Sequence, residues 1–312
     1  MTFQLYDAHG PIEAINEATA VTVGVFDGVH CGHQALLEQL QEECAKQNAA
    51  SLVVTLTSHP SFILGRRDSE YWLDDPEEHL QLLFAEGIKY VAVLPFTQEI
   101  AQMSACEMAR LLYFQLNMRN LLLGYDSRFG SKENDDFDHL PQLAMELGFT
   151  LRRGKPYLLD GQPISSSRIR AALEQGDVTL AALLLGHSHY SISGTVVHGR
   201  GVGHTLGFPT ANISLESTRK MLPKEGVYSV SLNTDFCEPT TFRGIANLGT
   251  APTFNINKPL LEVHLLDFDG DLYGHSVEVQ FLHRLRDIVR FDSTEELQRQ
   301  LQQDLEQIKQ WS

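Results

Sequence analysis

Two histidines spaced three apart, His30 and His33, close the segment Asp27-Gly28-Val29-His30-Cys31-Gly32-His33, directly after the apolar run Val21–Phe26. At the start of a helix such a turn has phosphate-binding chemistry. Free amide N–H groups and the helix dipole attract an anion, and Gly32 lets the backbone approach it closely. His30 and His33 could donate hydrogen bonds to phosphate oxygens as charge builds during an in-line displacement. Gly24, Phe26, Asp27 and Gly32 would then border a nucleotide. A metal site or an ordinary polar turn is the plainer alternative. The preceding strand-like run and the glycines at 24, 28 and 32 favour phosphate. Further on, Ser165, Ser166, Ser167, Arg168 and Arg170 open a helical stretch with three hydroxyls and two guanidinium groups. They could grip departing phosphates, or simply form a cap followed by a solvated arginine face. His59 in Thr55–Pro60 and Asp126 in Gly124–Gly130 follow strand-like runs and could enter the same crevice, though either loop could be inert.

A second constellation lies past the middle. No Gly-x-x-x-x-Gly-Lys-[Ser/Thr] loop occurs, so it is not a P-loop. Instead Gly199–Gly207, with Gly201 and Gly203, could fold over a nucleotide with its amides exposed. Thr210 and Asn212 follow on one face of a strand-like stretch, where both could contact phosphates or a phosphate-bound Mg²⁺. Glu262 stands in the apolar run Leu260–Leu266 and could accept a proton from a substrate hydroxyl. The alternatives are a flexible hairpin loop and an outward-facing strand acid. Taken together, the two constellations point to an enzyme that uses ATP twice.

The elements that must position these groups change character along the chain. Up to about residue 185, strand-like runs (21–26, 51–56, 89–94, 120–123, 150–152) alternate with helical ones (34–47, 76–85, 104–116, 141–147). That alternation predicts an α/β domain with a parallel sheet covered on both faces, binding ligands at the carboxyl ends of its strands. Two short helices, 169–174 and 178–185, precede the boundary. From 186 to 312, strand-like runs at 190–198, 226–232, 241–247, 260–266 and 276–283 predict an antiparallel barrel or sandwich. A final helix is expected over 293–309, capped by Ser293 or Thr294, with Leu297, Leu301, Leu305 and Ile308 as its apolar stripe. The expected domains are therefore 1–185 and 186–312.

The 312 residues, 43% apolar, suffice for two cores. A net charge of −16 argues against partners such as nucleic acid or an anionic membrane surface, but leaves ATP open. Four cysteines without CxxC spacing read as reduced thiols. No signal peptide or membrane-length apolar run is visible, so a cytoplasmic location is expected.

With both constellations laid out, the chain resembles the bacterial bifunctional riboflavin kinase/FMN adenylyltransferase (FAD synthetase) family over nearly its whole length. The resemblance rests on Gly24–His33, Thr55–Pro60, Gly124–Gly130, Ile164–Arg170, Pro209–Asn212, Gly244–Phe254, Leu260–Leu266, Asp271–Gly274 and Leu285-Arg286. It implies a Rossmann-like nucleotidylyltransferase domain followed by a six-stranded riboflavin kinase barrel ending in a long helix. The implied partners are riboflavin, FMN and ATP, with FMN and FAD as products. Thr210 and Asn212 would hold Mg²⁺–ATP, and Glu262 would be the base acting on the ribityl 5′-hydroxyl. His59, Asp126, Asn247 and Arg286 would lie near flavin. A chain that keeps only kinase activity, or a flavin- or nucleotide-binding regulator, is the alternative. Departures include Leu56 and Ser58 for an aromatic and a proline, Ser127 for a bulky residue, Ser167 for Thr and His204 for Arg. The acidic run Glu133–Asp136 stands where the family tends to be basic, and is expected to repel FMN phosphate.

Overall fold

Apolar runs with little interruption dictate the first unit. The computed structural model describes residues 3–57, 71–131, 134–199, 208–216, 218–234, 240–250 and 259–309. Five parallel strands are β3 (Thr19–Val23), β4 (Ala50–Leu56), β5 (Tyr90–Leu94), β6 (Met118–Leu123) and β7 (Thr150–Arg153). A short N-terminal hairpin, β1 (Gln4–Asp7) and β2 (Gly10–Ile12), adds two antiparallel strands at one edge, giving the order β2-β1-β5-β4-β3-β6-β7. The predicted parallel sheet is thus a mixed one. Its edge hairpin escaped notice because its strands are short and only half-buried.

Alternate residues of each central strand serve opposite faces, as the strand period of two requires. Val21, Leu52, Val54 and Leu121 pack with Met108 and Leu112 of helix α4 (Ala105–Gln115) and with Leu140 and Leu143 of α5 (Leu140–Leu147). Ala20, Val53, Val91 and Leu122 pack with Leu36, Leu37 and Leu40 of α1 (Cys31–Gln47) and with Leu83 of α2 (Pro76–Ala85). Between α2 and α4 lies the short α3 (Gln98–Gln102). Helix α2 starts where Asp75-Pro76 predicts it, with a capping box between Asp75 and Glu78. Helix α1 begins at Cys31, three residues earlier than its apolar period suggests, because His30 caps it. Strand β3 likewise ends at Val23, since Phe26 adopts a left-handed conformation.

Helices α6 (Ser166–Gln175) and α7 (Val178–Leu185) group with the second unit. Contacts divide the chain into Met1–Ser166 and Ser167–Ser312. Thr179 Oγ1 donates to the Leu282 carbonyl and the Lys224 amide to that of Leu173, so the helix pair is bonded to the barrel. The barrel is closed, antiparallel and six-stranded. Its strands are β10 (Tyr190–Val197), β11 (Ala211–Ser214), β12 (Gly226–Thr234), β13 (Thr240–Thr250), β14 (Pro259–Leu265) and β15 (Ser276–Arg286), following the minor hairpin β8 (Leu158–Leu159) and β9 (Gln162–Pro163) of the first unit. Tyr190, Ile192, Val230, Val263, Val279 and Phe281 fill its interior. Helix α8 (Thr294–Lys309) closes the chain, with the Ser293 hydroxyl accepting from the Glu296 amide as its cap. No helix among the described residues is long and apolar enough to cross a membrane. Cys31, Cys44 and Cys106 carry no disulfide, and burial holds the Cys44 thiol at about 11.

Candidate active sites

In the first unit the strand order reverses at β3. Strand β4 lies on one side of it, and β6, reached by a later crossover, on the other. The carboxyl end of β3 is therefore a topological switch point, where open α/β sheets bind ligands. Gly24–His33 emerges there. The loop carrying Asp126 leaves the neighbouring β6, and Thr57 leaves β4, so three candidate segments come to the same edge. Asp126 is exposed. His59 lies outside the described residues.

The turn itself is tightly determined. Phe26, Gly28 and Val29 all have positive φ (53°, 78° and 37°), a conformation costly for a β-branched residue. His30 caps α1, its Nδ1 accepting from the His33 amide at 3.2 Å, which leaves the ring proton on Nε2. The His30 and His33 rings stack at 3.6 Å, and Phe26 lies 5.0 Å from His33. Burial, then the neighbouring His30 and His79, holds His33 well below the usual histidine range. His33 is thus a neutral donor at physiological pH and adds no cationic charge. A side chain at Gly32 would come within 3.0 Å of the Ile164 carbonyl, so the close approach expected of this glycine is made to the chain itself. The Ser166 hydroxyl donates to the Asp27 carbonyl at 3.3 Å, which brings the Ser165-Ser166 segment against the turn. Ser167 and Arg168 follow on the first turn of α6, where Arg168 is half-buried and Arg170 buried.

Sequence reasoning missed the support beneath this turn. The Asp27 carboxylate accepts from the Leu73 amide at 2.7 Å, and the Asp74 carboxylate accepts from the Gly28 amide at 3.1 Å. His79 Nδ1 donates to the same Asp74 oxygen at 2.8 Å, and His79 Nε2 is 3.2 Å from the Thr55 hydroxyl. A histidine four residues after an N-cap acid gave no distinctive signal, since Thr55 and the Gly28 turn that it helps to hold lie far away in sequence.

Glu133 lies outside the described residues, and Asp136 faces the start of α4. It accepts from the Ser104 hydroxyl at 2.7 Å and the Cys106 amide at 3.1 Å. Burial opposes the charge, but these hydrogen bonds prevail and hold the carboxyl below its usual range. Asp136 therefore satisfies orphan helix amides rather than facing a ligand.

In the barrel, strand register does what spacing could not reveal. Asn212 pairs with Glu262, Glu262 with Asn247, Asn247 with Val227, and Val227 with Arg286. Directly opposed residues of antiparallel strands share a face, so Asn212, Glu262 and Asn247 form one row across β11, β14 and β13. The row lies on the face opposite the apolar interior of Ile213, Val263 and Ala246. Asn212 is buried, Glu262 and Asn247 are half-buried, and Asn247 Oδ1 makes no hydrogen bond. Thr210 precedes Asn212 by two residues, and its backbone is held from β14. His264 Nδ1 donates to the Pro209 carbonyl at 2.8 Å while its ring meets Phe208 edge-on. A side chain at Gly199 would run into the Asn212 side-chain amide and force it to shift, so this glycine leaves room for Asn212 in the row. Gly201 and Gly203 lie outside the described residues.

Arg286 ends the row two strands from Asn247. Its Nε and Nη2 grip Asp304 of α8 at 2.7–3.1 Å, and its Nη1 donates to the Asp287 carbonyl at 3.2 Å. Ile308 and Leu305 of α8 pack on Val227 and Ile245, so the terminal helix walls the row on one side.

Residues 12–168 match the FAD synthetase family model and residues 186–312 the riboflavin kinase family model. The chain is 36% identical over 294 residues to a bifunctional riboflavin kinase/FMN adenylyltransferase of Haemophilus influenzae, covering 94% of both chains. It is 38% identical over 297 residues to that of Escherichia coli K12, covering 95% of this chain and 93% of the relative. Among solved structures, one described as a macrolide-efflux protein from Streptococcus pneumoniae is similar at TM-score 0.83 and 30% identity, over 96% of this chain and 97% of the other. The two family matches fall on the two units that carry the strand-end turn and the barrel row, and the relatives match end to end. The chain belongs to the bifunctional riboflavin kinase/FMN adenylyltransferase family.

Proposed function

We propose that this chain makes FAD in two steps, each in its own unit. The barrel transfers the γ-phosphoryl of ATP to the 5′-hydroxyl of riboflavin, giving FMN. The α/β unit then lets an FMN phosphate oxygen attack the α-phosphorus of a second ATP, forming FAD and releasing pyrophosphate. The observation that carries the kinase half is the Asn212–Glu262–Asn247 row, a carboxylate flanked by two amides on the face opposite the apolar barrel interior. Glu262 takes the hydroxyl proton as the oxygen attacks. Thr210 and Asn212 offer hydroxyl and amide oxygens, the hard donors that Mg²⁺ prefers, and the orphan Asn247 Oδ1 adds a further oxygen on the same row. Mg²⁺ bound there would neutralise charge on the ATP phosphates. Asn247 and Arg286 would border riboflavin.

In the α/β unit, amides of the Gly24–His33 turn and the α1 dipole receive the ATP phosphates. His30 and His33 donate to oxygens that gain charge, with Ser165, Ser166, Ser167 and Arg168 toward the leaving pyrophosphate. His59 and Asp126 would line the FMN side. Neither step needs a covalent enzyme intermediate; positioning and charge neutralisation carry both. The partners are small molecules, and the expected place of action is the cytoplasm. Incubation of the full chain with riboflavin, Mg²⁺ and ATP, followed by chromatographic separation of the flavins, tests the reading. FMN followed by FAD is expected. FMN alone would reduce the protein to a kinase, and unchanged riboflavin would make it a binding protein.

A further inference from the structure

The turn that receives phosphate in the first unit is strained, and strained backbone persists only where its surroundings over-determine it. Three positive φ values fall within Phe26–Val29, one of them at a valine. Opposite this turn, the segment before α2 forms a reciprocal clamp. Leu73 gives its amide to the Asp27 carboxylate, and Gly28 gives its amide to the carboxylate of the adjacent Asp74. Asp74 is 2% exposed, and both of its hydrogen bonds fall on Oδ2; Oδ1 is buried and accepts none. A buried carboxylate so incompletely satisfied is a poor device for stability alone. What fixes it is His79, itself 8% exposed and bridged at its far nitrogen to Thr55 on β4. Thr55 in turn donates to the Val25 carbonyl at 3.0 Å, so the chain of contacts starts and ends on the turn.

We propose that Asp74 and His79 are positioning residues for adenylyl transfer, holding the Phe26–Val29 backbone in the conformation that presents His30 and the start of α1 to the ATP phosphates. Neither side chain touches the reacting atoms. Asp74 acts through the Gly28 amide, and His79 through Asp74. The proposal rests on the reading of this unit as the adenylyltransferase.

The test uses the full chain with FMN, ATP and Mg²⁺, and separately with riboflavin, ATP and Mg²⁺. Asp74→Ala is expected to lower the kcat of FAD formation by about 10–100-fold, the scale of an ångström-level misplacement. It should raise KM for ATP, leave KM for FMN unchanged, and leave FMN formation from riboflavin at the wild-type rate. Asp74→Asn keeps an acceptor for Gly28 and should recover most of the loss. A merely structural role would reduce the active fraction, lowering kcat with both KM values unmoved and without rescue by Asn. Should Asp74→Ala fail to fold, His79→Ala, which keeps the carboxylate and removes its holder, carries the same expectation. Wild-type kcat and KM for ATP in the folded alanine variants, or no rescue by Asn, overturns the proposal while the adenylyltransferase reading stands. A wild-type chain that makes no FAD overturns both.

Discussion

The Arg286–Asp304 pair predicts an asymmetry between its two halves. Asp304 is 2% exposed on α8 and takes three short contacts from Arg286, plus one from Gln300 at 2.9 Å. Arg286→Ala leaves that carboxylate buried with only Gln300 to bond it. Breaking a buried pair in this way costs about 3–5 kcal/mol, and the surviving Gln300 bond puts the expectation near about 3. Asp304→Ala leaves a guanidinium whose side chain is 19% exposed and still bonded to the Asp287 carbonyl, so it can turn to water. Its loss should be nearer about 1.5 kcal/mol, that of a hydrogen bond to a charged group. Asp304→Leu, which extends the apolar stripe of Leu301, Leu305 and Ile308, should cost less still. Guanidinium unfolding of the full chain, with residual FMN formation marking the barrel transition, measures the three. Equal losses, or a larger loss for Asp304→Ala, would refute the reasoning that the buried carboxylate bears the cost.

Three further expectations follow from the geometry. A fragment from Ser167 onward keeps α6 and α7 against the barrel and should melt cooperatively and make FMN but no FAD, whereas one from Gly186 should melt lower; equal melting temperatures would contradict the grouping of those helices with the barrel. His33 is held below 6.5, so the unfolded chain takes up its proton first as pH falls; the stability this neutral histidine lends the first unit is complete above 6.5 and lost on acidification toward the folded value. The melting temperature of wild type relative to His33→Gln should therefore fall from neutral pH to about pH 5, and a flat difference would contradict the burial of that ring. His264→Ala frees the Pro209 carbonyl beside Thr210 and should raise KM for ATP in FMN formation by about 2–10-fold, the worth of one neutral hydrogen bond; an unchanged KM would release Thr210 from this tether.

The two layers of the first unit were legible because β3 to β6 are apolar runs buried on both faces, and the helices between them carry apolar stripes. The barrel was legible as alternation at short spacing. What sequence could not reveal was pairing. Asn212, Glu262 and Asn247 attract notice by type, but 50 and 15 residues separate Asn212 from Glu262 and Asn247 from Glu262, and only strand register makes them one row. The same holds for Asp74 and His79, whose partners Gly28 and Thr55 belong to other elements. Asp304 did leave a trace: it sits three residues after Leu301 and four before Ile308, an acid on the buried stripe of an amphipathic helix. Asp136 misled in the other direction, since an acidic loop residue reads as solvated until the amides at the start of α4 are found facing it.

Two separate sites on one chain make crossed losses the most direct measurement. Glu262→Gln and His33→Ala, each in the full chain, are assayed once with riboflavin and once with FMN, with ATP and Mg²⁺ in both. Glu262→Gln should lose FMN formation by about 10²–10⁴-fold yet convert supplied FMN to FAD at the wild-type rate. His33→Ala should form FMN normally and lose FAD formation by a few hundred-fold, about 3–4 kcal/mol of transition-state stabilisation. Either substitution impairing both reactions alike, or Glu262→Gln forming FMN at the wild-type rate, would contradict the assignment of the two reactions to these two sites.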